Sequence, residues 1–225
     1  MQRLFDIIFS TTALLIFSPL IPLLMLILRF TGEGEIFFTQ IRVGKSGHLF
    51  KLYKFATMLK DSPSTGTVTL YQDPRILFVG AWLRKTKINE LPQLINVLKG
   101  DMSIIGPRPQ TQRCFDVFSE FVQKTVIKIR PGLSGVGSIV FRNEEEMMHS
   151  NKNPDKFYDE VLMPYKGKLE VWYVDHYSLR NYFLLIFITV FVVISGSSRV
   201  IFKLYPSIPP IPNLLKPFIF SQDNE

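Results

Sequence analysis

An apolar segment near the N-terminus constrains this chain more than any other feature of the sequence. The residues from Leu4 to Leu28, between Arg3 and Arg29, carry a single charge, Asp6. At about 1.5 Å per residue, a straight helix of that length would reach across a bilayer core of roughly 30 Å. No small-residue cleavage site follows, which argues against a cleavable signal peptide. The segment therefore predicts an element that enters a membrane.

Prolines interrupt this segment at Ser18-Pro19 and at Pro22. Each proline removes a backbone donor and clashes with the preceding turn, which predicts a kink. One interpretation is a kinked span, and the other is a re-entrant helix that turns at Ser18-Pro19 and leaves on the side it entered. Arg3 and Arg29 slightly favour the re-entrant form, because both ends would then face the cytosol.

Composition points to a membrane and to anionic ligands. The chain is 47% hydrophobic and has a formal net charge of +7, which suits lipid headgroups, nucleic acid or phosphorylated substrates. Nucleic acid is disfavoured, because no recognised binding module and no pattern of interleaved aromatic and basic residues is present. The single cysteine, Cys114, excludes an intramolecular disulfide and fits a reduced cytosolic compartment.

The sequence predicts an α-rich α/β fold in three parts. These are a membrane-inserted helix over residues 1–30, a cytosolic domain over 31–200 and a proline-rich apolar tail over 201–225. Strands over 36–43 and 48–55, with a glycine-bounded turn between them, predict a small β-hairpin. The prolines exclude a single helix in the tail, which could lie along the membrane surface.

Basic residues recur in the middle of the chain. Arg75, Arg84, Lys85 and Lys87 follow one another with little compensating acid, which fits either a solvated basic face or a phosphate site. Farther on, Arg108 lies between two prolines, and a guanidinium on such a rigid loop suits bidentate phosphate binding.

Local signals around these cations predict a helix and a glycine-rich loop. Residues 89–100 have helical apolar spacing, with Asn89 as the expected N-cap and Gly100 as the stop. The loop over residues 130–138 exposes backbone amides that could receive a phosphate or a base edge, although a structural turn is the alternative. Trp172, Tyr173 and Tyr177 suggest an aromatic belt at a membrane interface.

Several motifs, taken together and in order, resemble the bacterial sugar transferases, the monotopic phosphoglycosyl transferases that act on polyprenyl phosphate. The matches extend from Arg3 to the region of Leu179, and the ordered set is highly specific although each motif is weak alone. They are Ser18-Pro19, Gln40 with Arg42-Val43-Gly44, Lys54-Phe55 with Thr57-Met58, Asp73-Pro74-Arg75, Leu83-Arg84-Lys85, Glu90-Leu91-Pro92-Gln93, Gly100-Asp101-Met102-Ser103, Gly106-Pro107-Arg108-Pro109 and Arg130-Pro131-Gly132-Leu133-Ser134-Gly135.

The resemblance implies a re-entrant helix, interfacial amphipathic helices and a catalytic domain on the cytosolic face of the bacterial inner membrane. It implies transfer of a sugar 1-phosphate from a nucleotide-diphosphate sugar, expected to be a UDP-sugar, to polyprenyl (undecaprenyl) phosphate. Mg²⁺ is the implied cofactor and inner-membrane lipids are implied partners, and a homo-oligomer is compatible with the sequence. The implied phosphate-binding residues are Lys54, Arg75, Arg84, Lys85 and Arg108, and the implied nucleotide-binding loop comprises Arg130, Pro131, Gly132, Ser134 and Gly135.

In similar enzymes an Asp-Glu pair opens the helix that here starts at Asn89. The aspartate attacks the donor's β-phosphate and forms a covalent intermediate, while the glutamate, here Glu90, is associated with the metal or with proton handling. A carboxylate nucleophile divides a difficult transfer into two easier displacements.

This chain departs from that pattern, because the aspartate position holds Asn89. An amide carries no negative charge, so Asn89 should not form the covalent intermediate. Ala56 likewise replaces an expected arginine. Three explanations stay open: Glu90 serves as nucleophile or base in a direct transfer, the chain is a binding-only membrane adaptor, or position 89 was engineered.

Overall fold

The computed structural model describes residues 1–31, 33–62, 73–149, 151 and 153–220. Helices dominate this part of the chain, and the four strands form two small sheets, which confirms an α-rich α/β fold. The strands are β1 (Phe37–Val43), β2 (Leu49–Phe55), β3 (Ser103–Ile105) and β4 (Gly132–Ser134). The helices are α1 (Gln2–Phe17), α2 (Leu20–Thr31), α3 (Phe78–Lys85), α4 (Gln93–Lys99), α5 (Gln112–Asp116), α6 (Glu120–Val126), α7 (Val136–Val140), α8 (Glu144–His149), α9 (Pro154–Phe157), α10 (Met163–Asp175), α11 (Leu179–Ser195), α12 (Arg199–Leu204) and α13 (Lys216–Phe220).

The predicted hairpin is present. Strands β1 and β2 pair antiparallel, with Phe37 opposite Phe55. Ser46 and Gly47 take left-handed φ values of 57° and 77° in the connecting turn. The Ser46 N–H donates to the Ile127 carbonyl at 2.8 Å, which ties the turn to the residue that follows α6.

Helices α1 and α2 are bent by 64° at the Ser18-Pro19 break. The Ser18 hydroxyl donates to the Leu15 carbonyl at 2.8 Å and so satisfies an acceptor at the end of α1. Pro22 adds no second break, because it lies in the first turn of α2, where proline is tolerated. Within the described residues, only this bent pair has the length and apolar composition to cross a bilayer; no individual helix does.

The first two turns of α1 are joined to the rest of the domain by polar contacts. The Arg3 guanidinium donates to the carbonyls of Val97 and Leu98, where α4 ends, a favourable place for a cation. Asp6 is 1% exposed and its Oδ1 accepts three hydrogen bonds. The donors are the Ser103 hydroxyl at 2.9 Å, the Ile104 N–H at 3.0 Å and the Tyr182 hydroxyl at 2.9 Å.

The largest hydrophobic cluster combines side chains of α7, α10 and α11 with side chains from the expected tail. The buried tail residues are Ile201, Ile208, Ile211, Leu215 and Ile219. The Tyr165 hydroxyl also donates to the Pro209 carbonyl at 2.8 Å, so residues 201–220 pack as part of the domain. Residues 221–225 of that tail lie outside the described residues.

The aromatic residues of α10 face this same cluster. Trp172 is 6% exposed and Tyr173 is fully buried, whereas Tyr177 is 46% exposed. The expected interfacial belt is therefore wrong for Trp172 and Tyr173, because tertiary packing takes up their apolar surface.

Candidate active site

Asn89 and Glu90 lie in a short 3-10 turn, Ile88–Glu90, that precedes α4. Lys87, immediately before it, has a φ of 60°, an uncommon value for a residue other than glycine. This turn delays the start of α4 to Gln93. Asn89 is 5% exposed, and its Oδ1 is buried without a hydrogen-bond partner among the described residues. The predicted N-cap role of Asn89 is therefore wrong.

Asn96 fixes α4 against β2 and so places the turn beside Lys54. Its Oδ1 accepts from the Tyr53 N–H at 3.0 Å, and its Nδ2 donates to the Lys51 carbonyl at 2.7 Å. The side chain is fully buried, and it satisfies backbone polar groups of Lys51 and Tyr53, just before Lys54 in the chain.

Glu90 is the acidic centre of a group of cations. Its Oε1 lies 2.9 Å from Lys54 Nζ and 3.7 Å from Arg108 Nη2, and its side chain is 14% exposed. Burial raises the pKa of the Glu90 carboxyl, but the charges of Lys54, Arg108 and Lys87 outweigh burial and leave that pKa well below its usual range. Burial lowers the pKa of Lys54 to about 8, although Glu90 opposes this effect.

Arg42 supports this group from β1, and sequence reasoning had not assigned it to the site. Its Nη1 donates to the Pro109 carbonyl at 3.1 Å, and its Nη2 donates to Gln40 Oε1 at 2.5 Å. Burial, and then the charge of Arg108, lower its pKa to about 10. The spacing of Gln40 and Arg42 was a usable signal, since residues two apart share one face of a strand.

The other predicted phosphate-binding cations are engaged elsewhere or exposed. Arg75 makes a two-pronged ion pair with Asp73, at 2.8 and 2.6 Å, and donates to the Ser62 carbonyl at 3.1 Å. Arg84 is paired with Glu145 of α8. Lys85 is exposed on α3. Of the phosphate-binding residues implied by the family resemblance, Lys54 and Arg108 are thus the two that form ion pairs with Glu90.

The predicted nucleotide-binding loop packs against the loop that carries Arg108. Arg130 donates to the Gly100 carbonyl at 2.8 Å, and β4 pairs in parallel with β3. A Cβ on Gly132 would lie 2.1 Å from the Gly106 nitrogen, and one on Gly135 would lie 2.1 Å from the Gly106 oxygen. These glycines permit close backbone approach, and nucleotide binding by Arg130, Pro131, Gly132, Ser134 and Gly135 stays a prediction.

An open pocket adjoins the same loop. Its empty volume is about 310 Å³, and its walls include Arg108, Glu170, Pro107, Phe115 and Phe118. Glu170, which sequence reasoning missed, comes from α10, 62 residues away from Arg108 in the chain.

Lys54 on β2 and Arg108 on a rigid loop approach one carboxylate, and such an arrangement of cations suits ligands rich in phosphate oxygens. Residues 1–196 match the family model described as bacterial sugar transferase, and the chain belongs to that family, which makes it a transferase. The exopolysaccharide production protein ExoY of Rhizobium meliloti is 35% identical over 159 residues, covering 64% of this chain and 70% of that relative.

Two longer relatives have names that state a reaction. The UDP-N-acetylgalactosamine-undecaprenyl-phosphate N-acetylgalactosaminephosphotransferase of Aeromonas hydrophila is 32% identical over 198 residues, covering 87% of this chain and 44% of the relative. The UDP-glucose:undecaprenyl-phosphate glucose-1-phosphate transferase of Escherichia coli is 30% identical over 195 residues, covering 85% of this chain and 39% of the relative. The chain spans less than half the length of these two relatives.

Proposed function

We propose that this protein transfers a sugar 1-phosphate from a nucleotide-diphosphate sugar, with a UDP-sugar as the expected donor, to undecaprenyl phosphate. The names of the two longer relatives support the reaction class. The observation that carries the proposal for this chain is the group of cations around Glu90, next in sequence to Asn89, whose Oδ1 has no hydrogen-bond partner among the residues that the structure describes.

The electrostatics of the site suit a diphosphate. Lys54 and Arg108 both approach the same oxygen of the Glu90 carboxylate. When a phosphate binds, these cations exchange the carboxylate for the phosphate, so each cation keeps an anionic partner. Charge-assisted hydrogen bonds of this kind are roughly twice as strong as neutral ones. Cations fixed in advance also stabilise charge that develops on the departing phosphate.

A direct displacement fits the residues at the turn. An oxygen of the acceptor phosphate attacks the β-phosphorus of the donor and forms a new P–O bond. The bridging P–O bond breaks, and the nucleoside monophosphate leaves with that electron pair. Because the pKa of Glu90 is lowered, its carboxylate is a weak base, so its role is to hold cations rather than to remove a proton.

Mg²⁺ is part of the proposal, and the residues present fit it. The described residues contain no group of three or more acidic, histidine or cysteine side chains that could hold a metal ion. Mg²⁺ bound to substrate phosphates needs only one or two protein oxygens and keeps several waters. The Glu90 carboxylate and Asn89 Oδ1, which is buried without a hydrogen-bond partner among the described residues, would hold it. The bound ion would supply neutralisation of the diphosphate charge.

The protein is proposed to act at the bacterial inner membrane, with its site on the cytosolic side. The bent helices α1 and α2 carry exposed apolar side chains, including Leu15 at 68%, Ile16 at 66% and Phe30 at 78%. Helix α11 adds Phe187 at 70% and Ile194 at 82%. Lipid would cover these side chains and give the polyprenyl acceptor a route to the site.

A second candidate function is a membrane adaptor that binds the same ligands without turnover. One observation favours it: Asn89 provides no carboxylate at the position where the family resemblance implies a nucleophilic aspartate. The two candidates share the binding site and differ in chemistry alone.

Transfer of radiolabel from a panel of UDP-sugars to undecaprenyl phosphate by the purified protein separates them. Direct displacement predicts labelled lipid, one UMP released per transfer and no labelled protein. Glu90→Gln serves as the matched loss-of-charge variant. Lack of label transfer by the wild type from every donor, together with transfer by Asn89→Asp, would establish the adaptor.

A further inference from the structure

The loop that carries Arg108 is held at its main chain on both sides of that residue. The Pro107 carbonyl accepts from the Gly132 N–H at 2.8 Å, and the Pro109 carbonyl accepts from Arg42 Nη1 at 3.1 Å. Prolines have no N–H. Arg108 therefore supplies the one main-chain donor of the Pro107–Pro109 segment.

Glu170 accepts the hydrogen bond from that donor. The Arg108 N–H lies 3.2 Å from Glu170 Oε1, although the two residues are 62 positions apart. Glu170 is 2% exposed, and its Oε2 is buried without a hydrogen-bond partner among the described residues. Burial raises the pKa of this carboxyl to about 7. A buried carboxylate with so few partners costs free energy, so packing does not explain its presence.

Helix α7 closes around the same carboxylate. A Cβ on Gly137 would lie 2.3 Å from Glu170 Oε1, so glycine is needed there for the carboxylate to reach Arg108. The next residue, Ser138, receives a long contact of 3.5 Å from Arg108 Nη1. The Arg108 side chain then extends to Glu90, with Nη2 at 3.7 Å from Oε1.

We propose that Glu170 is a positioning residue that fixes the main chain of Arg108, so that the guanidinium reaches a phosphate-bearing ligand beside Glu90. The ligand of Arg108 rests on the proposed function, whereas the contact between Glu170 and the loop does not. Glu170 acts through Arg108 and touches no reacting atom.

Hydrogen exchange of the Arg108 amide tests the contact without any substrate. Because Pro107 and Pro109 have no amide hydrogen, overlapping peptides resolve Arg108 as the exchanging amide of that segment. In the full chain in detergent micelles, Glu170→Met, which keeps the length of the side chain but removes the acceptor, should speed this exchange about tenfold. Glu170→Gln keeps an oxygen acceptor and should stay within about threefold of the wild type.

Two further variants separate positioning from general damage. Gly137→Ala should displace the carboxylate without altering it, and it should also speed exchange at Arg108. Glu160→Met removes an exposed carboxylate from the π-helical turn before α10, Tyr158–Leu162, and should leave exchange at Arg108 unchanged.

A kinetic cycle then asks whether Glu170 acts through Arg108. With UDP-N-acetylgalactosamine and undecaprenyl phosphate as probes, Glu170→Met should lower kcat/KM about tenfold, and should add nothing in an Arg108→Ala background. Unchanged exchange at Arg108 in Glu170→Met, or losses that multiply in the double variant, would overturn the inference. If the wild type transfers nothing, the proposed function fails, and the exchange experiment still decides the positioning role.

Discussion

Lys54 Nζ lies 2.9 Å from Glu90 Oε1, and this ion pair joins β2 to the turn that precedes α4. The pair is asymmetric. Glu90 is held by Lys54 and Arg108, whereas Glu90 is the one acid in an ion pair with Lys54 among the described residues. Removing the acid therefore leaves more uncompensated charge than removing the base.

We expect Glu90→Gln to destabilise the protein by about 2–4 kcal/mol, because the largely buried Lys54 and the partly exposed Arg108 lose their shared anion. Lys54→Met should cost less, roughly 1–2 kcal/mol, since Arg108 still neutralises Glu90. Unfolding in detergent, followed by circular dichroism, measures both. The exposed pair of Lys124 and Glu120 provides a control, and Glu120→Gln should cost under about 0.5 kcal/mol. Equal losses for Glu90→Gln and Lys54→Met would contradict the asymmetry.

Asn89→Ala should change the free energy of unfolding by no more than about 0.5 kcal/mol, because Asn89 Oδ1 makes no hydrogen bond within the described part of the chain that could be lost. A true N-cap provides the comparison. Thr111 Oγ1 accepts from the Cys114 N–H at 3.3 Å, and Thr111→Ala should cost about 1 kcal/mol. Similar losses for the two variants in the same unfolding measurement would restore the capping role of Asn89.

Glu170 should make stability depend on pH. Its carboxyl has an ordinary pKa of 4.5, and burial raises that pKa to about 7, although the Arg108 N–H and the charges of Lys166 and Arg108 partly oppose the change. Between these values the folded state keeps a proton that the unfolded state releases, so the free energy of unfolding falls as pH rises. Relative to Glu170→Gln, the wild type should lose up to about 3 kcal/mol from pH 4.5 to 7.5. If the stability of the wild type relative to Glu170→Gln increased from pH 4.5 to 7.5, the predicted role of the Glu170 carboxyl in the pH dependence would be refuted.

Asp6 should be the residue that secures α1. Replacing Asp6 with leucine leaves the Ser103 hydroxyl, the Ile104 N–H and the Tyr182 hydroxyl without their acceptor, at an expected cost of about 3 kcal/mol. Tyr182→Phe removes one of the three bonds and should cost about 1 kcal/mol. Thermal unfolding measures both changes, with exposed Asp175→Leu as the control. A loss in Tyr182→Phe as large as in Asp6→Leu would show that packing dominates.

Local signals in the sequence predicted local structure well. The hairpin follows from two strand-like runs around a turn bounded by Gly44 and Gly47. The bend between α1 and α2 follows from Ser18-Pro19. Both depend on residues close together in the chain, where backbone chemistry decides the conformation. The N-cap prediction failed locally too, because the left-handed Lys87 starts a turn that delays the helix.

The site is assembled by contacts between residues that are far apart in the chain, and the composition of the sequence does not predict such contacts. Arg84 satisfied the pattern of a phosphate ligand, yet Glu145, 61 residues away in the chain, engages its guanidinium. Arg42 donates to the Pro109 carbonyl, which is 67 residues away in the chain. Glu170 accepts from the Arg108 N–H, 62 residues away. Tertiary packing determines such pairs, and they cannot be predicted from the local patterns of a single sequence.

The family match ends at residue 196, but the hydrophobic core continues beyond it. Ile201 and Leu215 are fully buried against helices that belong to the matched part. The segment that matches the family model, residues 1–196, is therefore shorter than the segment that shares the hydrophobic core, which extends to Ile219. A chimera that joins this domain to a longer relative should exchange residues 1–220 as one block. A junction at residue 196 would remove the buried side chains of residues 201–219 from the hydrophobic core that they complete.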